Sequence, residues 1–323
     1  MSLNEFSGKK QSTGDIVGTV ERLSIDRILC PVDFSEFSRR AIHYALSLAR
    51  HFGAQLYVQH TAEIPQALFR AEAEPSAVQA WRHQLPRLEQ DLAQLLKENG
   101  ASVSEARIAV NEGTALDRIL ETISNQRVDL VVMGTHGRTG MSRLMLGSVA
   151  EGVIHNSRCP VLVISRPEKE IVDPLAPDTV QIKRLLLATD FSAHSDRALA
   201  YALKWACEWA ATVVVFHAVP DVPPSTRGIV DLFPEYNPYF EQQVANAWAT
   251  ILHVIPEPVQ QWCEVKYEVR HGNAKDEILK AAEEKNADLI ILGARGSGIS
   301  GAPWGSVSSG VVRAGRFPVL VVR

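Results

Sequence analysis

This chain is a single module written twice, and the repeat restricts its fold more than any local pattern does. Arg27-Ile-Leu-Cys-Pro-Val-Asp-Phe-Ser recurs as Arg184-Leu-Leu-Leu-Ala-Thr-Asp-Phe-Ser. Asp33 and Asp190 lie 157 residues apart, Gly134 and Gly293 159, and Pro160-Val-Leu-Val and Pro318-Val-Leu-Val 158. An offset this constant marks a tandem duplication. The 323 residues give each copy the length of an ordinary domain.

Within a copy, hydrophobic periodicity switches repeatedly between strand and helix. In the first copy it predicts strands at 28–32, 55–60, 103–110, 128–133 and 161–165, and helices at 38–52, 76–99, 114–126 and 148–156. The second copy predicts strands at 185–189, 212–218, 263–269, 288–292 and 318–322, and helices at 195–210, 239–254, 274–284 and 305–314. Strands alternating with helices imply a parallel sheet with right-handed crossovers. The expected boundaries are a flexible N-terminal extension at 1–24, a first domain at 25–166, a linker at 167–181 and a second domain at 182–323. Pro167, Pro174 and Pro177 make that linker read as extended chain. The proline-rich connection after the second strand of copy two reads as a surface loop.

Composition narrows the function. A net charge of −4 with no basic run does not favour a nucleic-acid or anionic-membrane surface. No run approaches the ~20 apolar residues of a membrane span, and residues 1–24 lack the apolar core of a signal peptide. Cys30, Cys159, Cys207 and Cys263 form no Cys-x-x-Cys pair and read as reduced thiols of a cytoplasmic protein.

The chemistry is expected in the stretch from Met133 to Ser148. An apolar strand leads into four glycines, Gly134, Gly137, Gly140 and Gly147. Ser148-Val-Ala-Glu151 follows, with the pattern of a capping box opening a helix. Bare amides and the partial positive charge of a helix start suit a phosphate. The loop is neither a Walker A motif nor a G-x-G-x-x-G fingerprint. Its spacing is Gly134, two residues, Gly137, nine residues, Gly147-Ser148.

That spacing, continued through Ser148-Val149 to Cys159-Pro-Val-Leu-Val-Ile164, resembles the ATP-binding members of the universal stress protein family. The resemblance implies two tandem Rossmann-like domains of the adenine nucleotide alpha hydrolase-like type. Each would hold a five-stranded parallel sheet, order 3-2-1-4-5, with helices on both faces. Strands 1 and 4 would then be neighbours where the winding reverses, and ligands bind at such a point. The implied ligand is ATP, with AMP, ADP and Mg²⁺ as further candidates. Pro31, Val32 and Asp33 would lie beside the nucleoside. Asp33 would accept from a ribose hydroxyl or an adenine amino group, cap the following helix, or do both. Thr61 would pack on the adenine. Met133, Gly134, His136 and Gly137 would line the pocket floor, and Arg138 in the loop would neutralise phosphate charge. Gly147, Ser148, Val149 and Ala150 would present amides and a hydroxyl to the phosphates. Single-module relatives pair through the last strand, so the tandem halves are expected to form an intramolecular pseudo-dimer, with a homodimer of chains left open.

Copy two departs from the pattern. Gly293 and Gly296 are followed by eight residues instead of nine before Gly305-Ser306, with Pro303 and Trp304 just ahead of the helix. Asp190 is retained. Copy one is therefore expected to be the better nucleotide site. With no Walker lysine and no group placed to activate water, any hydrolysis should be slow. The reading is a stress-response regulatory protein. The alternatives are a scaffold with vestigial pockets, a weak ATPase, or an enzyme of a related fold, whose Ser-Gly-Gly-x-Asp-Ser and His-Ile-Gly-His motifs are missing here.

Overall fold

The computed structural model describes residues 23–64, 75–135, 146–166, 170–173, 176–220, 237–296 and 305–323. The strands of the first half are β1 (Arg27–Pro31), β2 (Gln55–Ala62), β3 (Ala106–Glu112), β4 (Leu130–Gly134) and β5 (Val161–Ile164). A short pair, β6 (Val172–Asp173) and β7 (Ala176–Val180), comes between the halves. The second half contributes β8 (Arg184–Ala188), β9 (Thr212–Val219), β10 (Val265–His271), β11 (Leu289–Gly293) and β12 (Val319–Val322).

Ten of these strands form one sheet in the order β10-β9-β8-β11-β12-β5-β4-β1-β2-β3. Each half runs 3-2-1-4-5 in its own numbering, with parallel neighbours throughout. The halves join where β12 meets β5 antiparallel, Leu320 opposite Leu162. The pseudo-dimer is thus built by the last strands, and neither is left as an open edge.

Strand periodicity decides which side chains go to which face. Ile28, Leu130, Val132, Leu162, Leu187, Ile291 and Leu320 belong to one core layer. Their sequence neighbours Leu29, Val131, Val161, Val163, Leu186, Ile290 and Val321 belong to the other. Each layer runs across both halves, so neither half has a closed core of its own. The helices Glu36–Phe52, Leu85–Glu98, Ala193–Trp209 and Asn237–Ile251 follow the first two strands of each half. The first and third bury their apolar sides in the first layer. The helices Ala115–Asn125, Ser148–Asn156, Ala274–Glu284 and Ser306–Ala314 cover the second.

Three local features differ from the sequence reading. The helix expected over 76–99 is two, Pro75–Arg82 and Leu85–Glu98. Pro86 has no N–H to donate to the Arg82 carbonyl, so the helix stops and restarts there. The stretch 103–105 is a 3₁₀ turn with its own Ser102/Glu105 capping box, which delays β3 to Ala106. The segment 167–181, read as an extended linker, pairs β6 with β7 and lays Ile171, Val172 and Val180 into the first core layer, followed by Ile182 at the start of the second domain.

An aspartate fixes strand 1 against strand 4 at the same place in both halves. Asp129 Oδ2 accepts from the Asp26 and Arg27 amides at 2.9 Å each. Asp288 Oδ2 accepts from Lys183 and Arg184 at 2.7 and 2.8 Å, and Asp288 is only 2% exposed. Asp288→Ala leaves two amides without their acceptor, and a loss of about 2–3 kcal/mol is expected. Urea denaturation should show a lower midpoint with an unchanged slope, and Asp288→Asn, which keeps an acceptor oxygen, should recover most of the loss.

Candidate functional site

The winding reverses between β1 and β4, paired through Ile28–Leu130 and Leu29–Val131. Past the end of β1 the chain is held to β2. The Val32 amide donates to the Gln59 carbonyl at 2.8 Å, and His60 Nδ1 lies 2.6 Å from the Val32 carbonyl. Asp33 follows, half-buried, its Oδ1 accepting the Ser35 amide at 3.0 Å. Phe34 sits at φ 65°, a left-handed conformation that costs a bulky residue energy. Its ring packs on His60 with centroids 4.8 Å apart. Ser35 then caps the helix Glu36–Phe52 by accepting from the Ser38 amide. The capping alternative for Asp33 thus takes the form of a turn just ahead of the true cap.

The second half repeats this construction. Asp190 Oδ1 accepts the Ser192 amide at 3.2 Å. Phe191 is at φ 61° and stacks on His217 at 4.3 Å. His217 Nδ1 lies 2.8 Å from the Thr189 carbonyl, and burial pushes its pKa below the usual histidine range. Thr189 also ties the turn internally, accepting from the Phe191 amide and donating to Ser195. The histidine–phenylalanine pair was missed in the sequence reading. The signal was present: His60 and His217 are 157 residues apart, the offset that relates Asp33 to Asp190.

On the β4 side, Gly134 is the point of closest approach. A Cβ there would stand 2.8 Å from the Phe37 carbonyl carbon and 2.8 Å from its Cβ. At Gly293 the same construction meets His194 carbonyl atoms at 3.0 Å. These glycines therefore let the first helix of each half pack against the end of strand 4, besides any role toward a ligand. In the second half, a Cβ on Gly296 would meet Asp190 Oδ2 at 2.6 Å. In that half the aspartate at the end of strand 1 and the glycine loop after strand 4 thus face each other across one crevice.

The loop ends are pinned alike. The Thr135 amide donates to Ile164 and its carbonyl accepts from Gly147 at 2.8 Å; Ala294 makes the matching bonds to Val322 and Gly305. Gly147 is consequently the N-cap and Ser148 the first helical residue, so the expected Ser148/Glu151 capping box does not form. The Gly147 amide is committed to Thr135. Among the described residues no acceptor meets the amides of Ser148, Val149 and Ala150, the three orphan donors of the helix start. Ser148 is exposed. In the second half Gly305 caps, Ser306 leads, and Ser308 replaces Ala150, donating to the Gly293 carbonyl at 2.7 Å.

Among the expected site residues, Pro31, Val32, Asp33 and Gly134 converge at the crevice, with the Ser148–Ala150 amides bound to it through Thr135 and Gly147. Met133, one residue before Gly134, is 5% exposed and packs in the second core layer, as Val32, 4% exposed, packs in the first. Thr61 lies inside β2, opposite Asn111 of β3, rather than past the strand exit. His136, Gly137 and Arg138 lie outside the described residues. Among the described residues no cluster of histidine, cysteine or carboxylates is arranged to hold a metal, and no helix is long and apolar enough to cross a membrane.

The family model described as "Universal stress protein family" matches residues 24–165 and again 181–323. The chain belongs to the universal stress protein family. This member is of the tandem type, matching over 92% of its length a Mycolicibacterium smegmatis universal stress protein at 26% identity, with 96% of that relative covered. A Methanocaldococcus jannaschii universal stress protein is 34% identical over 149 residues, 45% of this chain and 84% of its own. The crystal structure of a universal stress protein from Archaeoglobus fulgidus superposes with a TM-score of 0.61 at 22% identity, covering 92% of this chain and 96% of its own. That likeness speaks for the fold alone.

Proposed function

We propose that this universal stress protein is a regulatory binder of adenine nucleotides, with ATP held in the first half. The observation that carries the reading is the set of three amides at Ser148, Val149 and Ala150, which meet no acceptor among the described residues and are anchored to the end of β4 by the Thr135–Gly147 bond. A helix-start contact contributes about 0.3–2 kcal/mol to anion binding, so several must act together on a phosphate tail. The Asp33 carboxylate stands at the exit of the neighbouring strand, where a sugar or base would lie. Mg²⁺ would accompany the phosphates as counter-charge.

The first half is the stronger site by its loop. Its loop has the nine-residue spacing of the ATP-binding pattern, and the second has one residue fewer, with Pro303 constraining the backbone.

Mass spectrometry of nucleotide released on denaturation, followed by calorimetric titration of the stripped protein, tests this. The expected result is one ATP or AMP site per chain of appreciable affinity. Ser148→Arg, at an exposed position, should reduce affinity at least tenfold while leaving the unfolding midpoint unchanged. A stripped protein that ignores ATP would favour the scaffold reading, and two equal sites would contradict the proposed asymmetry.

A further inference from the structure

The two halves exchange short arms, and one arm is more complete than the other. Ahead of β8, Val180 and Ile182 are buried with Tyr44 and Leu48 of the first half's leading helix. Ahead of β1, Leu23 and Ile25 occupy the equivalent place toward Tyr201 and Trp205 of the second half's leading helix. All four pairs of positions are related by 157 residues.

Over the first half this arrangement is closed. Ile171 and Val172 are each 1% exposed, and the Gln181 amide donates to the Ile171 carbonyl at 2.7 Å. The buried Tyr44 hydroxyl donates to the Glu170 carboxylate, which also pairs with Arg40 at 3.6 Å. Over the second half the same place is a cavity of about 240 Å³, bordered by Leu23, Ser24, Ile25, Cys159, Tyr201 and Trp205. Among the described residues nothing bonds to the Tyr201 hydroxyl, and no acceptor meets the Ser24 amide, the counterpart of Gln181.

The sequence supplies the missing piece. Glu170-Ile171-Val172 precedes Val180, and Asp15-Ile16-Val17 precedes Leu23. We propose that Asp15-Ile16-Val17 docks in this cavity of its own chain, pairing the Ile16 carbonyl with the Ser24 amide and the Asp15 carboxylate with the Tyr201 hydroxyl. Between Val17 and Leu23 lie five residues beginning with Gly18, a sufficient length for a hairpin connection. The site is an acidic–aliphatic strand receptor between the halves, separate from the nucleotide crevice and independent of that reading.

Hydrogen exchange of the full chain against an Ile16→Asp/Val17→Asp variant reads the docking directly. The Ser24 amide should exchange at least about tenfold faster in the variant, while the Gln181 amide, under the intact arm of the other half, keeps its rate. A chain lacking residues 1–22 should show the same change, and a synthetic peptide of residues 11–22 should restore Ser24 protection at any protein concentration. Equal Ser24 exchange in parent and variant, or a peptide without effect, would overturn the proposal. Protection that appears only with rising concentration and a doubled mass would overturn it in favour of arms passed between two chains.

Discussion

Gly134→Val is expected to destabilise the protein by about 3 kcal/mol or more, near the upper range for forcing volume into packed structure. The reason is the partner of the clash. The added carbon would press on the Phe37 carbonyl carbon and Cβ at 2.8 Å and its carbonyl oxygen at 3.0 Å. Backbone in the first turn of a helix cannot rotate away as the tip of a lysine can. Relief requires moving the start of Glu36–Phe52, and that turn carries Ser35, which anchors Asp33. Stability and nucleotide affinity should therefore fall together. Gly293→Val meets His194 and Ser195 backbone at 3.0–3.1 Å and should cost comparable stability. If the first half is the nucleotide site, Gly293→Val should leave affinity within about twofold at temperatures where the protein remains folded. Denaturant unfolding and ATP titration of both variants check the pair. A Gly134→Val protein as stable as the parent would show that the close approach is not real.

Leu162→Asp should have a still larger effect, enough to abolish the folded state. Leu162 is fully buried opposite Leu320 in the antiparallel join of the halves. A carboxylate there has no partner among the apolar neighbours of the first core layer, and its desolvation costs several kcal/mol. Total stability for a domain is only about 5–15 kcal/mol. Both core layers cross the join, so the two halves are expected to unfold in one transition. Leu162→Met, which nearly conserves volume, should cost under about 1.5 kcal/mol. Far-ultraviolet circular dichroism and size-exclusion chromatography distinguish the outcomes. A Leu162→Asp chain whose second half stays folded would show that the halves are independent domains.

Much of this fold is legible in the sequence because duplication supplies a control. Landmarks at a constant offset locate the strands, and the alternation of apolar residues within them fixes two faces. The same alternation places Met133 with Val131 in the second core layer. The break at Pro86 also follows from local chemistry. Other features depend on contacts distant in sequence. Gly147 rather than Ser148 caps its helix because the Gly147 amide is drawn to Thr135 across a loop. Gly134 must lack a side chain because Phe37, from a helix almost a hundred residues earlier, arrives against it. The inter-half segment looked extended from its prolines, but Ile171, Val172, Val180 and Ile182 carry the burial that those prolines obscure. The crevice was legible as a meeting of two strand ends; the tie from His60 to Val32 required the paired copies to be compared position by position.

His51 and Glu208 occupy equivalent positions, 157 residues apart, and they touch: His51 Nε2 lies 2.9 Å from Glu208 Oε1. Their neighbours Phe52 and Trp209 also meet, edge to face, with centroids 5.6 Å apart, and His51 stacks on Trp209 at 4.9 Å. In an association of two identical modules, each of these positions would face a replica of itself, imidazole to imidazole or carboxylate to carboxylate. Covalent fusion removes that restriction. Once both modules are encoded in one reading frame, a residue on the axis can acquire a mate of a different kind, acid for base and indole for phenyl. The seam has thus become a lock with distinct sides, and neither module separated from the other could rebuild it by pairing with its own duplicate.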